Sequence, residues 1–362
     1  GLSNYLIEHN LNVFGPTKEA AMLETSKSFA KEIMLNHNIP TARFITFQKE
    51  NRTEALEFIR NIGNQSGSNN TGFHFNFPIV LKADGLAAGK GVVICPSADA
   101  AINELNQMFS GKFGEASNKI VVEEYLEGEE VSIFAITDGN DYVLLSPAQD
   151  YKKIYDNDVG KNTGGMGSYS PVPFLDEDTM KIIELKIIQP TIDAMKERET
   201  PFRGCLYVGL MLTNSGPKVI EFNSRFGDPE TQAVLRLIDG DFTKLLYTAA
   251  IGKIDTAAIN KINAFACCVV LASNGYPDKY DSGYEIKNLD SINDADVKIY
   301  HAGTKIENES ILSNGGRVLN ISVKNADPHI AIEKAYFYAD LINFDNKYYR
   351  RDIGKKLIKY LL

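Results

Sequence analysis

The sequence predicts an α+β protein built from several packed units, and three observations carry that reading. Strand-like runs are joined by hairpin turns, as at Leu206–Leu212 and Lys218–Phe222 around Asn214-Ser215-Gly216. Helical periodicity recurs between such pairs, as at Asp178–Arg198 and His329–Leu341. The chain has 362 residues, more than one ordinary core encloses.

The elements follow in order. Leu2–His9 reads as the end of a helix and Leu11–Phe14 as a short strand. The chain opens Gly1-Leu2-Ser3 and its first methionine is Met22, so both read as the tail of an element that begins upstream. Apolar Ala21, Met22, Phe29, Ile33 and Met34 suit one helix or two short ones over Thr17–Asn36, ended by Pro40. Ala42–Phe47 reads as a strand and Thr53–Asn61 as a helix, and the Gly/Ser/Asn-rich Ile62–Gly72 as a mobile loop. Strands are expected at Phe77–Lys82, Gly91–Cys95, Lys119–Tyr125, Val131–Thr137 and Tyr142–Ser146. Further strands are expected at Phe265–Ala272, Lys298–His301 and Val318–Val323.

Composition excludes several classes. Hydrophobic residues are 44% and charged residues 23%, ordinary for a globular chain and unlike a disordered one. The net charge of −9 argues against a general nucleic-acid or membrane-surface binder, which would show a basic face. No apolar run approaches the ~18–20 residues of a membrane span, and no secretory signal opens the chain. Cys95, Cys205, Cys267 and Cys268 lack metal-ligand spacing and read as reduced core thiols of a cytoplasmic protein.

Four stretches carry candidate chemistry. In Phe77–Ile94 a strand ends at Lys82, followed by Gly85, Gly89, Lys90 and Gly91. Glycines let backbone N–H groups turn toward a phosphate, and lysines supply charge. A P-loop needs Ser or Thr and a helix after its lysine; here Gly91 and a strand follow, so the loop closes a hairpin. Such a hairpin suits a flap over a nucleotide, although a structural hairpin is the commoner case. In Ile120–Ser132 a strand runs into Glu123, Glu124, Glu127, Glu129 and Glu130. That is either a solvated charge run or a strand end presenting backbone groups to adenine with an acid for the ribose. In Lys218–Gln232, Glu221 and Asn223 lie two apart on one strand face, with Ile220 and Phe222 facing the core. A carboxylate and an amide oxygen suit Mg²⁺; an exposed strand face is the equal alternative. Arg225 follows within reach of an anion, and Asp228 and Glu230 add acidity. In Gln149–Pro171, Asp150, Lys152 and Lys153 precede the loop Asn162-Thr163-Gly164-Gly165-Met166-Gly167. Twenty-odd residues without a clear element read as a functional loop or a disordered one.

Taken in order, KADGLAAGKGV, NTGGMGSYSP, EFNSRFGDPETQ, HAGT (His301–Thr304) and NGGRVL (Asn314–Leu319) resemble the phosphoribosylamine–glycine ligase family of the ATP-grasp superfamily. The likeness runs from FGPT at Phe14–Thr17 to RRDIG at Arg350–Gly354. It implies that residues 1–16 are the remnant of an N-terminal α/β domain, followed by an ATP-grasp domain over 17–252 with a lid subdomain near 45–133 and a C-terminal mixed α/β domain over 253–362. It implies that Lys27 and Lys82 face phosphate, that Gly85, Gly89, Lys90 and Gly91 cover it, and that Glu123, Glu124 and Leu126 hold adenine beside Glu130 at the ribose. Glu221 and Asn223 would be the Mg²⁺ ligands, with Mn²⁺ as a substitute. Asp150, Lys152 and Arg225 would be catalytic, and Asn162, Thr163, Gly164, Gly165, Met166 and Gly167 would form the substrate loop. The implied reaction, in purine biosynthesis, ligates glycine to 5-phosphoribosylamine through glycyl phosphate, with release of ADP and phosphate. The resemblance implies a cytoplasmic monomer without nucleic-acid or membrane partners. The family's glycine-rich GNGGREHA segment is absent, and Tyr151 stands where the family usually has histidine. The competing readings are another ATP-grasp ligase, against which RFGDPETQ with NTGGMG argues, and a nucleotide-binding module without turnover.

Overall fold

In the computed structural model, which describes residues 1–62, 75–87 and 91–361, the chain divides into two units that alternate along the sequence. The first comprises Gly1–Glu130, Asp178–Gly204 and Val208–Ser224; the second comprises Val131–Glu177, Cys205–Tyr207 and Arg225–Leu362.

The first unit contains an antiparallel sheet of four strands in the order Phe44–Gln48, Lys119–Glu124, Ile79–Ala83, Val92–Cys95. Side chains alternate across a strand, so each strand serves two environments. Ile79, Leu81, Ile120 and Val122 pack with Ala55, Phe58 and Ile59 of helix Arg52–Arg60 and with Leu105 and Met108 of helix Ala98–Phe109. The opposite face receives Val80, Lys82, Val121 and Glu123, in the register Lys82↔Val121 and Val80↔Glu123. That alternation puts a lysine and a glutamate on one sheet face, diagonal to each other. The expected hairpin is present, with the Ala83 N–H donating to the Gly91 carbonyl at 2.8 Å. Gly89 and Lys90 lie outside the described residues, as does most of the expected mobile loop, 63–72.

Thr17–Asn36 resolves into the two short helices Met22–Thr25 and Lys27–Asn36. The Ser26 hydroxyl caps the second by accepting the Phe29 N–H at 3.2 Å. Leu11–Phe14 forms no strand, contrary to its apolar pattern. The Leu11 N–H instead donates to the Leu6 carbonyl at 3.0 Å, turning the chain back on the end of the preceding helix. The helix expected over Asp178–Arg198 spans Glu177–Glu197, but Glu184–Ile188 widens into a π turn just before Pro190. Proline has no N–H to donate, which accounts for the break in the regular ladder. Strands Gly204–Thr213 and Gly216–Asn223 are neighbours across the expected turn.

The second unit is organised on an antiparallel sheet ordered Val297–His301, Arg317–Asn325, Phe265–Ser273, Gly167–Ser170, Gln149–Asp150, with Lys347–Tyr348 also paired to Phe265–Ser273. Its central strand is buried on both faces, which explains the continuous apolar run there. Cys268 packs with Ala233 and Leu237, whereas the facing helix Pro328–Leu341 buries Ala331, Ala335 and Ala339. All four cysteines are free and buried, and burial raises their thiol pKa values.

The stretch Gln149–Pro171 is ordered, as strands Gln149–Asp150, Lys153–Tyr155, Val159–Asn162 and Gly167–Ser170. Arg350 accounts for much of this. It is fully buried, grips Asp352 with two nitrogens at 2.6 and 2.7 Å, and donates to Asp158 at 3.0 Å and to the Lys153 carbonyl at 2.9 Å. A residue some 190 positions downstream thus supplies the order that local sequence lacks.

Candidate functional site

In the first unit, the start of helix Lys27–Asn36 is set by Asp84, the residue after the Ile79–Ala83 strand. Its carboxylate accepts the Ser26 hydroxyl at 3.1 Å, the Ser28 N–H at 3.1 Å and the Ser28 hydroxyl at 2.5 Å. Lys27 therefore sits beside the hairpin and donates to the Gly85 carbonyl at 3.0 Å. Gly85 has φ +155°, and an added Cβ would lie 2.8 Å from that of Ala116, so a side chain is excluded there.

Lys82 is buried and donates to Glu123 at 3.0 Å and to the Ile220 carbonyl at 3.0 Å. Lys31, one helical turn beyond Lys27, reaches the same Glu123 oxygen at 3.1 Å. Sequence reading missed Lys31; its i, i+4 spacing from Lys27 was the available signal. Burial lowers the Lys27 pKa, and nearby Glu221 opposes the shift. Glu221 and Asn223 share a face as expected, with the Asn223 amide 3.5 Å from the Glu221 carboxylate. The alternation is less regular than expected: Val219 and Phe222 are buried while Ile220 is half-buried.

Glu124 is bound by Arg43, with the backbone N–H donating at 2.9 Å and the guanidinium at 2.6 and 2.7 Å, and by Lys218 at 3.3 Å. Burial would raise its pKa, but these donors hold it below the usual carboxylate range. Residues 125–127, including Leu126, fall outside the strand ladder, and Glu130, second in strand Glu129–Thr137, is half-buried.

In the second unit, Asp150 is nearly buried and stands 3.8 Å from the Lys152 ammonium. The Asn162–Gly167 loop folds back on this segment. Thr163 N–H and hydroxyl both donate to the Lys152 carbonyl at 2.8 Å, and Met166 N–H donates to the Tyr151 carbonyl at 2.8 Å. Gly165 has φ +110°, and a Cβ there would lie 2.4 Å from Pro229, so the loop touches the Asp228-Pro229 turn through a glycine. Buried Glu230 accepts from Tyr207 at 3.0 Å and Ser132 at 3.3 Å. Arg225 donates to the adjacent Phe226 carbonyl at 3.0 Å. Tyr151 is buried; its hydroxyl accepts the Gly354 N–H at 3.1 Å and Arg350 stacks on its ring at 4.8 Å.

Two family models cover most of the chain: the phosphoribosylglycinamide synthetase ATP-grasp (A) domain at residues 25–231 and the C domain of the same synthetase at 266–356. The chain belongs to the phosphoribosylglycinamide synthetase family. Relatives in that family include the phosphoribosylamine–glycine ligase of Leptospira interrogans, 42% identical over 362 residues, covering 99% of this chain and 81% of the relative. The enzyme of the same name from Caldanaerobacter subterraneus is 43% identical over 345 residues, covering 95% and 79%. A crystal structure of phosphoribosylamine–glycine ligase from Thermotoga maritima superposes with a TM-score of 0.84 at 36% identity, covering 98% of this chain and 84% of that one. A biotin carboxylase from Campylobacter jejuni shares the fold, with a TM-score of 0.70 at 17% identity over 95% of this chain and 72% of that one. The chain thus has the ATP-grasp fold that its motifs implied.

Proposed function

We propose that this chain is an ADP-forming ligase that joins glycine to 5-phosphoribosylamine, yielding glycinamide ribonucleotide, ADP and phosphate in purine biosynthesis. One observation carries the reading best. In a chain that both synthetase domain models match, Lys27, Lys82, Glu221 and Asn223 fall in one unit, with Lys27 in the field of both Lys82 and Glu221. The chemistry follows from the weakness of a carboxylate as an electrophile. A glycine carboxylate oxygen attacks the γ-phosphorus of ATP and ADP departs. The amine nitrogen of phosphoribosylamine then attacks the acyl carbon, and phosphate leaves as the amine loses a proton. Positioning and charge neutralisation supply most of the rate enhancement in such transfers.

In this reading Lys27 and Lys82 hold phosphate oxygens, and the Gly85–Gly91 hairpin covers them. The unpaired strand end around Leu126 offers backbone groups to adenine beside Glu123 and Glu124, and Glu130 accepts from the ribose. Glu221 and Asn223 present two hard oxygen ligands on one face, which fits Mg²⁺ or Mn²⁺ sharing its other positions with phosphate and water. A cation bound there would neutralise charge on the transferring phosphoryl group. Asp150 faces the glycine ammonium, Lys152 and Arg225 its carboxylate and acyl phosphate, and the Asn162–Gly167 loop closes on the amino acid. Residues 45–133 move as a lid within an ATP-grasp domain of 17–252, with 253–362 as the C-terminal domain. The family resemblance extends the reading to a cytoplasmic monomer.

ADP release with MgATP, glycine and freshly generated phosphoribosylamine, each omitted in turn, tests the reading. Release that requires both co-substrates is expected. MgATP binding without any release would instead favour a nucleotide-binding module without turnover.

A further inference from the structure

Arg317 begins the strand Arg317–Asn325 in the C-terminal part of the second unit, far in sequence from the residues it holds. One nitrogen, Nη1, donates to the Gly164 carbonyl at 2.8 Å, the Asp228 carbonyl at 2.9 Å and, more weakly, the Gly165 carbonyl at 3.4 Å. The other, Nη2, binds the Asp228 carboxylate at 2.9 Å. The second Asp228 oxygen accepts from Gln232 at 2.9 Å, so the aspartate is held from both sides. The strand behind Arg317 is paired with neighbours on both edges, which makes it a firm support. A register shift between Leu271 and Ala272 falls opposite Arg317, the kind of irregularity that re-aims a side chain at a strand end.

We propose that Arg317 is a positioning residue for the glycine-handling loop. It fixes the peptide planes of Gly164 and Gly165 against the Asp228 turn, and through them the conformation in which Asn162–Gly167 meets the amino acid. The proposal rests on the functional reading above. Three features favour this role over a simple ion pair. The Asp228 side chain is 46% exposed, so charge alone would contribute little. The two guanidinium nitrogens divide the contacts, Nη1 to the carbonyls and Nη2 to the Asp228 carboxylate, a planar two-armed arrangement that a single lysine ammonium does not reproduce. The loop is also built for the contact: a Cβ on Gly164 would lie 3.0 Å from the Arg317 guanidinium carbon. The loop N–H groups are then aimed by their own partners, Gly164 to the Tyr276 hydroxyl at 2.9 Å and Gly165 to Thr163 Oγ1 at 3.0 Å.

The test compares the full chain with Arg317→Gln and Arg317→Lys by two independent measurements. In steady-state kinetics, Arg317→Gln is expected to raise the KM for glycine by about tenfold or more while the KM for ATP stays within about twofold. Arg317→Lys should rescue little of this. In hydrogen exchange, amides of 162–167 should exchange faster in Arg317→Gln while helix Pro328–Leu341 keeps its protection. Unchanged exchange in the loop would overturn the proposal. So would equal increases in both KM values, which mark a general loss of structure. If the parent releases no ADP with all substrates present, the ligase reading fails on its own; the exchange measurement still decides the clamp.

Discussion

Two buried ammonium groups converge on one oxygen of Glu123, Lys31 at 3.1 Å and Lys82 at 3.0 Å, while the other oxygen has no partner among the described residues. Burial lowers the Lys31 pKa from 10.5 to about 8, against the opposing pull of Glu123. Between those two values the unfolded chain binds a proton that the folded chain does not, so this group makes stability rise with pH there. Below that window its cost is fully present. Lys31→Met removes the titration, so the parent should gain urea stability over the variant between about pH 8 and pH 10.5; a constant difference would refute the assignment. Glu221 makes a different prediction. Glu221→Ala should lower Mg²⁺-dependent ADP release by ~100-fold or more with an unaltered melting temperature. Turnover equal to the parent's would mean that the metal oxygens have been misassigned. Neither lysine interaction was legible as such: Lys27 and Lys82 stand in recognisable motifs, but only folding brings Lys31 to a glutamate 92 positions away.

At the scale of elements, the decisive join is between the Ile79–Ala83 strand and the N-terminus of helix Lys27–Asn36, made by Asp84. A carboxylate at a helix start satisfies otherwise unpaired N–H groups and complements the helix dipole. Asp84→Ala should cost about 1–2 kcal/mol of stability. Because the same join places Lys27 at Gly85, it should also raise the KM for ATP; a stability loss with no change in that constant would separate the cap from the site. Helices Ala98–Phe109 and Phe242–Ala250 were not read from the sequence. Ala98–Phe109 is largely buried small and apolar residues on one side and short polar ones on the other, and its Ser97 cap was the overlooked signal. The order in Gln149–Pro171 was also invisible locally, since it depends on Arg350 and the strand Phe265–Ser273. Tyr151 shows the same dependence: its hydroxyl turns to Gly354, so its position in QDYKK does not by itself put it at a substrate.

For the whole molecule, binding of nucleotide to the folded state alone should stabilise it by mass action, about 2.7 kcal/mol at a hundredfold excess over Kd. MgATP should therefore raise the melting temperature by about a few degrees, and chelation with EDTA should remove most of the rise. An undiminished shift in EDTA would count against the oxygens of Glu221 and Asn223 as metal ligands. The sequence alone was sufficient for the fold class, the family and the strand pairs around the hairpin turns. Those depend on alternation, turn residues and motifs, which are properties of neighbouring positions. The tertiary structure decided which motifs share a unit: Lys27, Lys82, Glu221 and Asn223 in one, and Asp150, Asn162–Gly167 and Asp228 in the other. It also decided that Arg317 and Arg350, both in the C-terminal part of the chain, organise loops some 150 to 200 residues earlier. The physical reason is that a hydrogen bond or ion pair needs only spatial approach, and partners that far apart in the chain leave no local pattern to read.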